Sequence, residues 1–198
     1  MFRYFDGTYR QNPPARVEHN GLIRKFADLT REQWNELGYN EAVPIDREPF
    51  TSYETRWSKS EDLLFREVVV SATVDDAAML DAARKAKQQE ICSRADAFIL
   101  AVEGKYGLME RQTWEQQYAE AVAYRADPES CVPLLDVIAV HRGMDVATLA
   151  EHIVDNRAAW VLLAGAVVGQ RLAYQDALDA ASTVAEVEAV EICYLESA

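Results

Sequence analysis

The sequence predicts an α+β protein, with a small antiparallel β-rich N-terminal domain followed by a long helix and an all-helical C-terminal domain. Apolar and polar residues alternate in much of the first part, as in half-buried strands, whereas a period near 3.6 begins after Asp75. The first 75 residues also hold 11 of the 19 aromatic residues. We therefore expect a β-rich domain with one short helix in residues 1–75, a linking helix in 76–110 and a helical domain in 111–198.

Turn and cap residues delimit the first elements of the β-rich domain. Asp6-Gly7 and Asn20-Gly21 each separate two short β-prone runs, so that two hairpins are predicted. Thr30 and Gln33 have the spacing of a capping box, which opens a two-turn helix that ends at Gly38.

The last elements of this domain are predicted to be paired strands. Tyr53, Thr55 and Trp57 alternate with polar residues, as a half-buried strand requires. The run from Leu63 to Val70 ends in β-branched residues, which favour extended backbone, and it is predicted to be the partner strand.

The long linking helix is predicted over residues 76–103, because apolar side chains recur at helical spacing from Leu80 to Phe98. Gly104 and Gly107 end it. Thr113 begins a second capping-box pattern, so we expect the next helix to start there and to stop before Asp127-Pro128.

The remaining helices also have marked ends. Pro133 suits the first turn of a helix that ends at Gly143, and Asp145 is a good N-cap for a very long helix, predicted to bend near Gly165 or Gly169. The pattern Thr183-Val-Ala-Glu is a further capping box and predicts a short last helix.

Composition restricts the classes of partner. With 198 residues and 49% hydrophobic content, the chain is long enough for one medium domain or two small ones. Its net charge is −13, of which about −3 lies in residues 1–75 and about −10 in 76–198. An acidic surface repels phosphates, so we expect neither nucleic acid nor an anionic membrane as a partner. No signal peptide or membrane-spanning helix is predicted, because no apolar run has the required length.

The three cysteines are odd in number and widely spaced, which favours free thiols in a reducing cytoplasm. We interpret Cys92, Cys131 and Cys193 as small core residues.

No arrangement of residues indicates catalysis. His141 and His152, with Cys131 and Glu151 nearby in sequence, are candidate metal ligands, but their spacing matches no ligand signature. The chain has no nucleophile elbow, Walker loop or dinucleotide-binding glycine motif. We therefore predict no catalytic, cofactor-binding or metal-binding residues, no cofactor and no enzymatic activity.

The segment from Leu134 to Arg157 has the helix, glycine turn and second helix of a helix-turn-helix motif. It carries four acidic residues against two arginines, which would repel DNA. A plain αα-hairpin explains the same residues.

Large aromatic rings in the first domain are candidate anchors for a partner protein. Trp34, Phe50 and Trp57 are the residues predicted for this role, because a small sheet often cannot cover all its rings. The alternative, favoured for most of them, is that they form the core of that domain.

Two groups of residues carry a resemblance to a known family. The motifs of the helical half are Thr113-Trp-x-x-Gln-x-x-Glu120, Pro133-Leu-Leu-Asp136, Arg142-Gly143, Gly165-x-x-x-Gly169 and Ala180-Ala-Ser-Thr-Val, and those of the N-terminal half are Asn12-Pro-Pro, Asn20-Gly21 and Leu37-Gly-Tyr. With these motifs the helical half resembles the C-terminal module of tailed-phage and prophage tail-region proteins, commonly labelled tail fibre assembly proteins. The N-terminal half is similar to the small leading domain of proteins from the same gene neighbourhood.

The resemblance implies a non-enzymatic phage tail protein that acts as a tail fibre assembly chaperone by binding tail fibre or other tail proteins. It implies no catalytic residues. A structural component of the virion, at the tail tip, the baseplate or the fibre attachment point, is the alternative, and self-association through the long helix would favour it. A helix-turn-helix regulator is the lesser alternative. We expect the protein in the host cytoplasm during assembly, or in the virion tail under the structural alternative.

Overall fold

A computed structural model describes residues 1–194 and confirms the α+β class. The chain forms two compact units, Met1–Met79 and Leu80–Ala198, which are described separately. The strands are β1 (Phe2–Arg3), β2 (Tyr9–Arg10), β3 (Arg16–His19), β4 (Leu22–Lys25), β5 (Asn40–Val43), β6 (Thr51–Lys59) and β7 (Phe65–Val74). The helices are α1 (Arg31–Glu36), α2 (Asp76–Glu103), α3 (Leu108–Ala126), α4 (Pro133–Arg142), α5 (Val146–Ala180) and α6 (Val184–Glu188), with a 3-10 helix at Phe26–Asp28.

The strands form one five-stranded sheet, in the order β2-β1-β5-β7-β6, and a separate hairpin of β3 and β4. Both hairpins predicted near the N-terminus are confirmed, since β1 pairs with β2 and β3 with β4, each antiparallel. Asn20 and Gly21 have φ values of 56° and 74°. Two successive positive φ angles are what the two-residue turn of such a hairpin requires.

One pairing departs from the predicted antiparallel sheet. β5 and β7 run parallel, with Ala42 opposite Phe65 and Val43 opposite Arg66. Parallel neighbours need a crossover connection, and here β6 with its flanking loops supplies it. Because β6 and β7 form a long antiparallel hairpin, the return strand β7 meets β5 in the same direction. The alternation of apolar and polar residues within each strand does not reveal the parallel pairing of β5 with β7.

A buried carboxylate in β7 ties three segments of the first unit together. Glu67 accepts hydrogen bonds from the Thr55 hydroxyl at 2.6 Å, from the Ile45 N–H at 3.1 Å and from the Arg47 guanidinium at 2.7 Å. Its side chain is 4% exposed. The bond from Thr55, with those from Ile45 and Arg47, lowers the pKa of Glu67 below its ordinary value, although burial opposes the shift.

The bounds of α2 are those predicted, but the predicted start of α3 is wrong. α3 begins at Leu108, after the extended N-cap Gly107, and Thr113 lies in its second turn. The Thr113 hydroxyl donates to the carbonyls of Met109 and Glu110, as threonine does within a helix, and does not cap a first turn. The capping-box spacing at Thr113 was therefore fortuitous.

Two apolar clusters stabilise the helical unit. One joins α2 to α5, α6 and the extended residues that follow, and the other joins α3, α4 and the start of α5. The first contains Ile91, Ala95, Val167, Leu178, Ala181, Val187, Ile192 and Tyr194, and the second contains Ala121, Val132, Leu135, Ala139, Leu149 and Ala150.

Long side chains of α2 also fasten the backbone of residues 181–194. Arg84 donates to the carbonyl of Ala181. Lys87 Nζ donates to the Val190 carbonyl at 3.3 Å, and Arg94 donates to the Ile192 carbonyl at 3.0 Å. In the opposite direction, the Tyr194 hydroxyl donates to the Ile91 carbonyl of α2 at 3.1 Å. A segment with little regular structure of its own is thereby held on the helix by bonds to its otherwise unpaired carbonyls.

The helix ends predicted for α4, α5 and α6 are confirmed. Gly143 takes the left-handed conformation with φ 63° after α4, and Asp145 caps α5 by accepting from the Thr148 N–H. Thr183 and Glu186 form the predicted capping box of α6. The first turn of α4 is capped from outside, because Glu120 of α3 accepts from the N–H groups of Leu134 and Leu135 at 2.9 and 3.0 Å.

We expect Glu120→Ala to lower the free energy of unfolding of the helical unit by about 1–2 kcal/mol, since it removes the only side-chain cap of α4 among residues 1–194. Urea unfolding followed by far-UV circular dichroism measures the change. Glu129→Ala, at an exposed loop position, is the matched control and should change the stability by less than about 0.5 kcal/mol. Equal effects of the two substitutions would contradict the capping role.

Two of the three cysteines differ from their predicted core positions. Cys92 is half-buried, whereas Cys131 and Cys193 are exposed free thiols. Cys193 lies between buried Ile192 and Tyr194, so that the alternation of an extended segment turns it toward solvent.

Among residues 1–194, no helix has both the length and the apolar character needed to cross a membrane.

Candidate interaction surfaces

The first candidate surface is the outer edge of the five-stranded sheet. β6 has nine residues and pairs with β7 on one side only, and no other strand in the described part of the chain covers its second side. An edge strand presents unpaired N–H and C=O groups to which another chain can add. Glu54 and Arg56 are exposed along this strand, and charges of this kind limit unselective pairing.

An apolar patch adjoins this edge on β7, and we call it the valine patch. It consists of Val68, Val69, Val70 and Val74, which are 37%, 42%, 57% and 48% exposed. The ladder between β6 and β7 has an irregularity after Glu54, opposite Val69 to Ser71, and a bulge of this kind twists a hairpin away from a flat sheet. Successive side chains of a strand point to opposite faces of a sheet, so three consecutive exposed valines leave apolar surface on both faces of β7. Exposed apolar surface of this kind often marks a binding site.

Of the predicted anchors, only Phe50 is exposed. It is 44% exposed, directly precedes β6 and has a φ of 55°, and its carbonyl accepts from the Asp75 N–H at 2.7 Å. Phe50 therefore lies at the open end of the β6–β7 hairpin, one residue before Thr51, which pairs with Val74.

Trp34 is partly buried and packs against the core of the first unit. Its ring stacks on that of Phe26 at 4.9 Å, and its indole N–H donates to the Phe26 carbonyl at 2.8 Å. Buried Tyr4 and Tyr39 complete this core with Phe26. The structure thus gives Trp34 a packing role, which is the alternative weighed for it from the sequence.

Trp57 is half-buried and stacks on Tyr9, with 4.2 Å between ring centroids and 20° between ring planes. Burial raises the pKa of the Tyr9 phenol. The pair joins the first hairpin to β6, so Trp57 contributes to the sheet and presents only part of its ring to solvent.

The helical unit contains a second candidate site, an aromatic cleft of about 310 Å³ between α3 and α5. Tyr106 meets Trp114 edge-on at 5.2 Å, and Trp114 lies 6.1 Å from Trp160. No pattern in the sequence predicted this cleft. The lining residues are Val102, Tyr106, Glu110, Trp114, Gln117, Tyr118, Arg142, Leu149, His152, Ile153, Asn156, Arg157, Ala159, Trp160 and Leu163.

The candidate metal ligands of the sequence analysis are not brought together. His152 lines the aromatic cleft, whereas His141, Glu151 and Cys131 are exposed elsewhere on α4, α5 and the loop before α4. In residues 1–194, no three His, Cys, Asp or Glu side chains are close enough to share a metal ion.

The predicted αα-hairpin of α4 and α5 is present, and its inner face packs on α3. Leu135 and Leu149 are almost completely buried against Ala121, and Val137 and Val140 face solvent. The hairpin is therefore part of a helical core built with a third helix.

Comparison with known proteins gives one partial match. Residues 155–192, which include most of α5 and all of α6, match the family described as the HI1402 helical domain. The match agrees with the helical structure of this region. No curated protein and no solved structure matches the chain.

Proposed function

We propose that this protein is a non-enzymatic phage tail protein that acts as a tail fibre assembly chaperone by binding an extended segment of a fibre subunit. The single observation that carries the proposal is the long edge strand β6 beside the valine patch of β7. The resemblance of the motifs to tail fibre assembly proteins supplies the biological context.

The geometry suits a partner that adds as a strand. The unpaired backbone groups of β6 can bond to an extended chain, and this mode of recognition depends little on the partner's side chains. Phe50 and the valine patch then offer apolar contacts beside the added strand. Fibre subunits that have not yet assembled with their copies expose such strands, which are prone to aggregation until they are covered.

The charge of the chain supports the same role. Residues 76–198 carry ten basic and twenty acidic residues, whereas residues 1–75 carry ten basic and thirteen acidic residues. A strongly acidic part keeps a complex soluble while an apolar segment of the partner is held by the other part.

The experiment is co-expression of the protein with the fibre subunit of its parent phage, with the soluble fibre measured by sedimentation and immunoblotting. Val70→Lys places a charge at the most exposed position of the valine patch. Because burying a lysine in an apolar contact costs more than about 1.4 kcal/mol, we expect binding to weaken about tenfold or more and soluble fibre to decrease accordingly.

Val140→Lys is the matched control, since Val140 is an exposed valine of α4 in the other unit. It should leave the yield of soluble fibre unchanged. Equal yields with Val70→Lys and the original protein would contradict binding through the valine patch.

Quantitative mass spectrometry of purified particles tests whether the protein is an assembly factor or a virion component. We expect the protein to be absent from particles, and a fixed copy number per particle would instead identify a structural component of the virion.

A further inference from the structure

The aromatic cleft of the helical unit has two chemically different ends. At one end Tyr106, Trp114 and Trp160 provide ring faces and edges. At the other end lie His152 and Arg142, which is the last residue of α4 and so adjoins the beginning of α5. The lining residues of α5 run from Leu149 to Leu163, a rise of roughly 21 Å, so the cleft is elongated.

Basic side chains are concentrated in this cleft, although the unit is acidic. Between residues 112 and 170 the sequence has only three basic residues, Arg125, Arg142 and Arg157, and two of them line the cleft. The single acidic lining residue, Glu110, is in the first turn of α3 near the aromatic end. A ligand with a negative charge is therefore favoured at the end away from Glu110.

The two arginines differ in their present partners. The Arg157 guanidinium lies 5.4 Å from the centre of the Tyr118 ring and 2.6 Å from the Glu115 carboxylate, whose side chain is 76% exposed. An exposed ion pair of this kind contributes little and exchanges readily. Arg142 has no ion pair within residues 1–194. Both guanidinium groups can therefore donate hydrogen bonds to a new carboxylate partner.

We propose that the aromatic cleft binds a small aromatic carboxylic acid, with its ring among Tyr106, Trp114 and Trp160 and its carboxylate toward Arg157 and Arg142. The volume of about 310 Å³ is at the lower end of the range for small-molecule sites. Trp160 and Arg157 are three residues apart on α5, about 4.5 Å along the axis, which favours a ligand with a short spacer between its ring and its carboxylate. This site is independent of the fibre-binding surface proposed above.

The chemistry of the walls argues against other ligand classes. A phosphorylated ligand needs several donors around one group. The first turns of α3 and α5 could supply backbone donors, but that of α3 contains Glu110 and that of α5 is already capped by the Asp145 carboxylate. A cationic aromatic ligand would be repelled by Arg142 and Arg157. A neutral aromatic ligand would contact the ring-lined end of the cleft and would give Arg142 and Arg157 no charged partner.

The test uses the full-length protein with Trp34→Phe and Trp57→Phe, so that Trp114 and Trp160 are the only tryptophans. Their fluorescence is titrated with 3-phenylpropionate, 3-phenylpropionamide and 3-phenylpropylamine, which share a ring and differ in charge. We expect saturable binding of the carboxylate at least about tenfold tighter than that of the amide, because an ionised partner strengthens each hydrogen bond, and the weakest binding for the amine.

Arg157→Gln should weaken binding of the carboxylate several-fold, and Arg142→Gln should weaken it less, because Arg142 lies at the far end of the cleft. Both substitutions should leave the affinity of the amide unchanged, which also shows that the cleft is intact. Arg125→Gln, at an exposed position of α3, is the matched control and should change neither affinity. Equal affinities for carboxylate and amide would overturn the proposal. So would tighter binding of a peptide with internal phenylalanine and glutamate than of the free acid, because the cleft would then be a docking groove for a protein chain.

Discussion

Replacing Ile91 by alanine is expected to lower the free energy of unfolding of the helical unit by about 2–5 kcal/mol. Ile91 is completely buried in the middle of α2, and its cluster includes Val167 and Leu178 of α5 and Val187 of α6. Removing three carbon atoms at this point leaves a cavity between elements that are distant in sequence. Helices held from several sides cannot close such a cavity without losing other contacts.

The measurement is urea unfolding of the original protein and of Ile91→Ala, monitored by far-UV circular dichroism. Leu100→Ala is the matched control, because Leu100 lies on the same helix but is 62% exposed. It should cost less than about 1 kcal/mol. If the two substitutions had the same effect, α2 would not pack on α5 and α6 through Ile91.

The second large effect is expected for Glu67→Gln, which should destabilise the first unit by about 2–3 kcal/mol at pH 7. The glutamine amide cannot accept all the hydrogen bonds that Thr55, Ile45 and Arg47 donate to the carboxylate. It also removes the charge opposite Arg47. With Trp114→Phe and Trp160→Phe in the background, tryptophan fluorescence during urea unfolding reports on Met1–Met79 alone.

The effect of Glu67→Gln should depend on pH, with a sign that follows from the pKa. The folded-state pKa of Glu67 is lowered, so the carboxylate contributes its full stability above the ordinary glutamate pKa of 4.5. This contribution is lost as the pH falls through the lower folded-state pKa. The difference between the two proteins should therefore be smaller at pH 3 than at pH 7. Glu61→Gln, at an exposed turn position, should give no such difference at either pH.

Local signals in the sequence predicted most elements, because their causes are local. The left-handed turn at Asn20-Gly21, the capping box at Thr30 and the left-handed Gly143 each depend on residues within one turn of the chain. The bounds of α2 followed from helical periodicity for the same reason.

The structure differs from the sequence-based predictions where residues far apart in the sequence determine strand pairing or helix capping. The parallel pairing of β5 with β7 depends on how the β6–β7 hairpin meets the rest of the sheet. The N-cap residue of α4, Val132, has no side chain that could accept a hydrogen bond, so the cap comes from Glu120 on another helix. The cap pattern at Thr113 failed because Gly107 and the residues after it already begin the helix.

The candidate sites were less predictable than the fold. Phe50 is exposed, as a candidate anchor must be, but Trp34 is an equally large ring in the same domain and is packed on Phe26. Only the three-dimensional position of a ring separates the two cases. The aromatic cleft depends on Trp114 and Trp160 meeting across two helices, and its one sequence signal was the scarcity of basic residues around Arg142 and Arg157.

The attachment of residues 181–194 to α2 has a consequence for synthesis on the ribosome. The side-chain bonds that make this attachment join residues 97 to 103 positions apart. At about 5–20 residues per second, translation takes roughly 5–20 s to cover that distance. During this time the apolar face of α2 around Ile91 has emerged, whereas the residues that cover it do not yet exist. The helical unit can therefore complete its folding only after residues 181–194 have been synthesised.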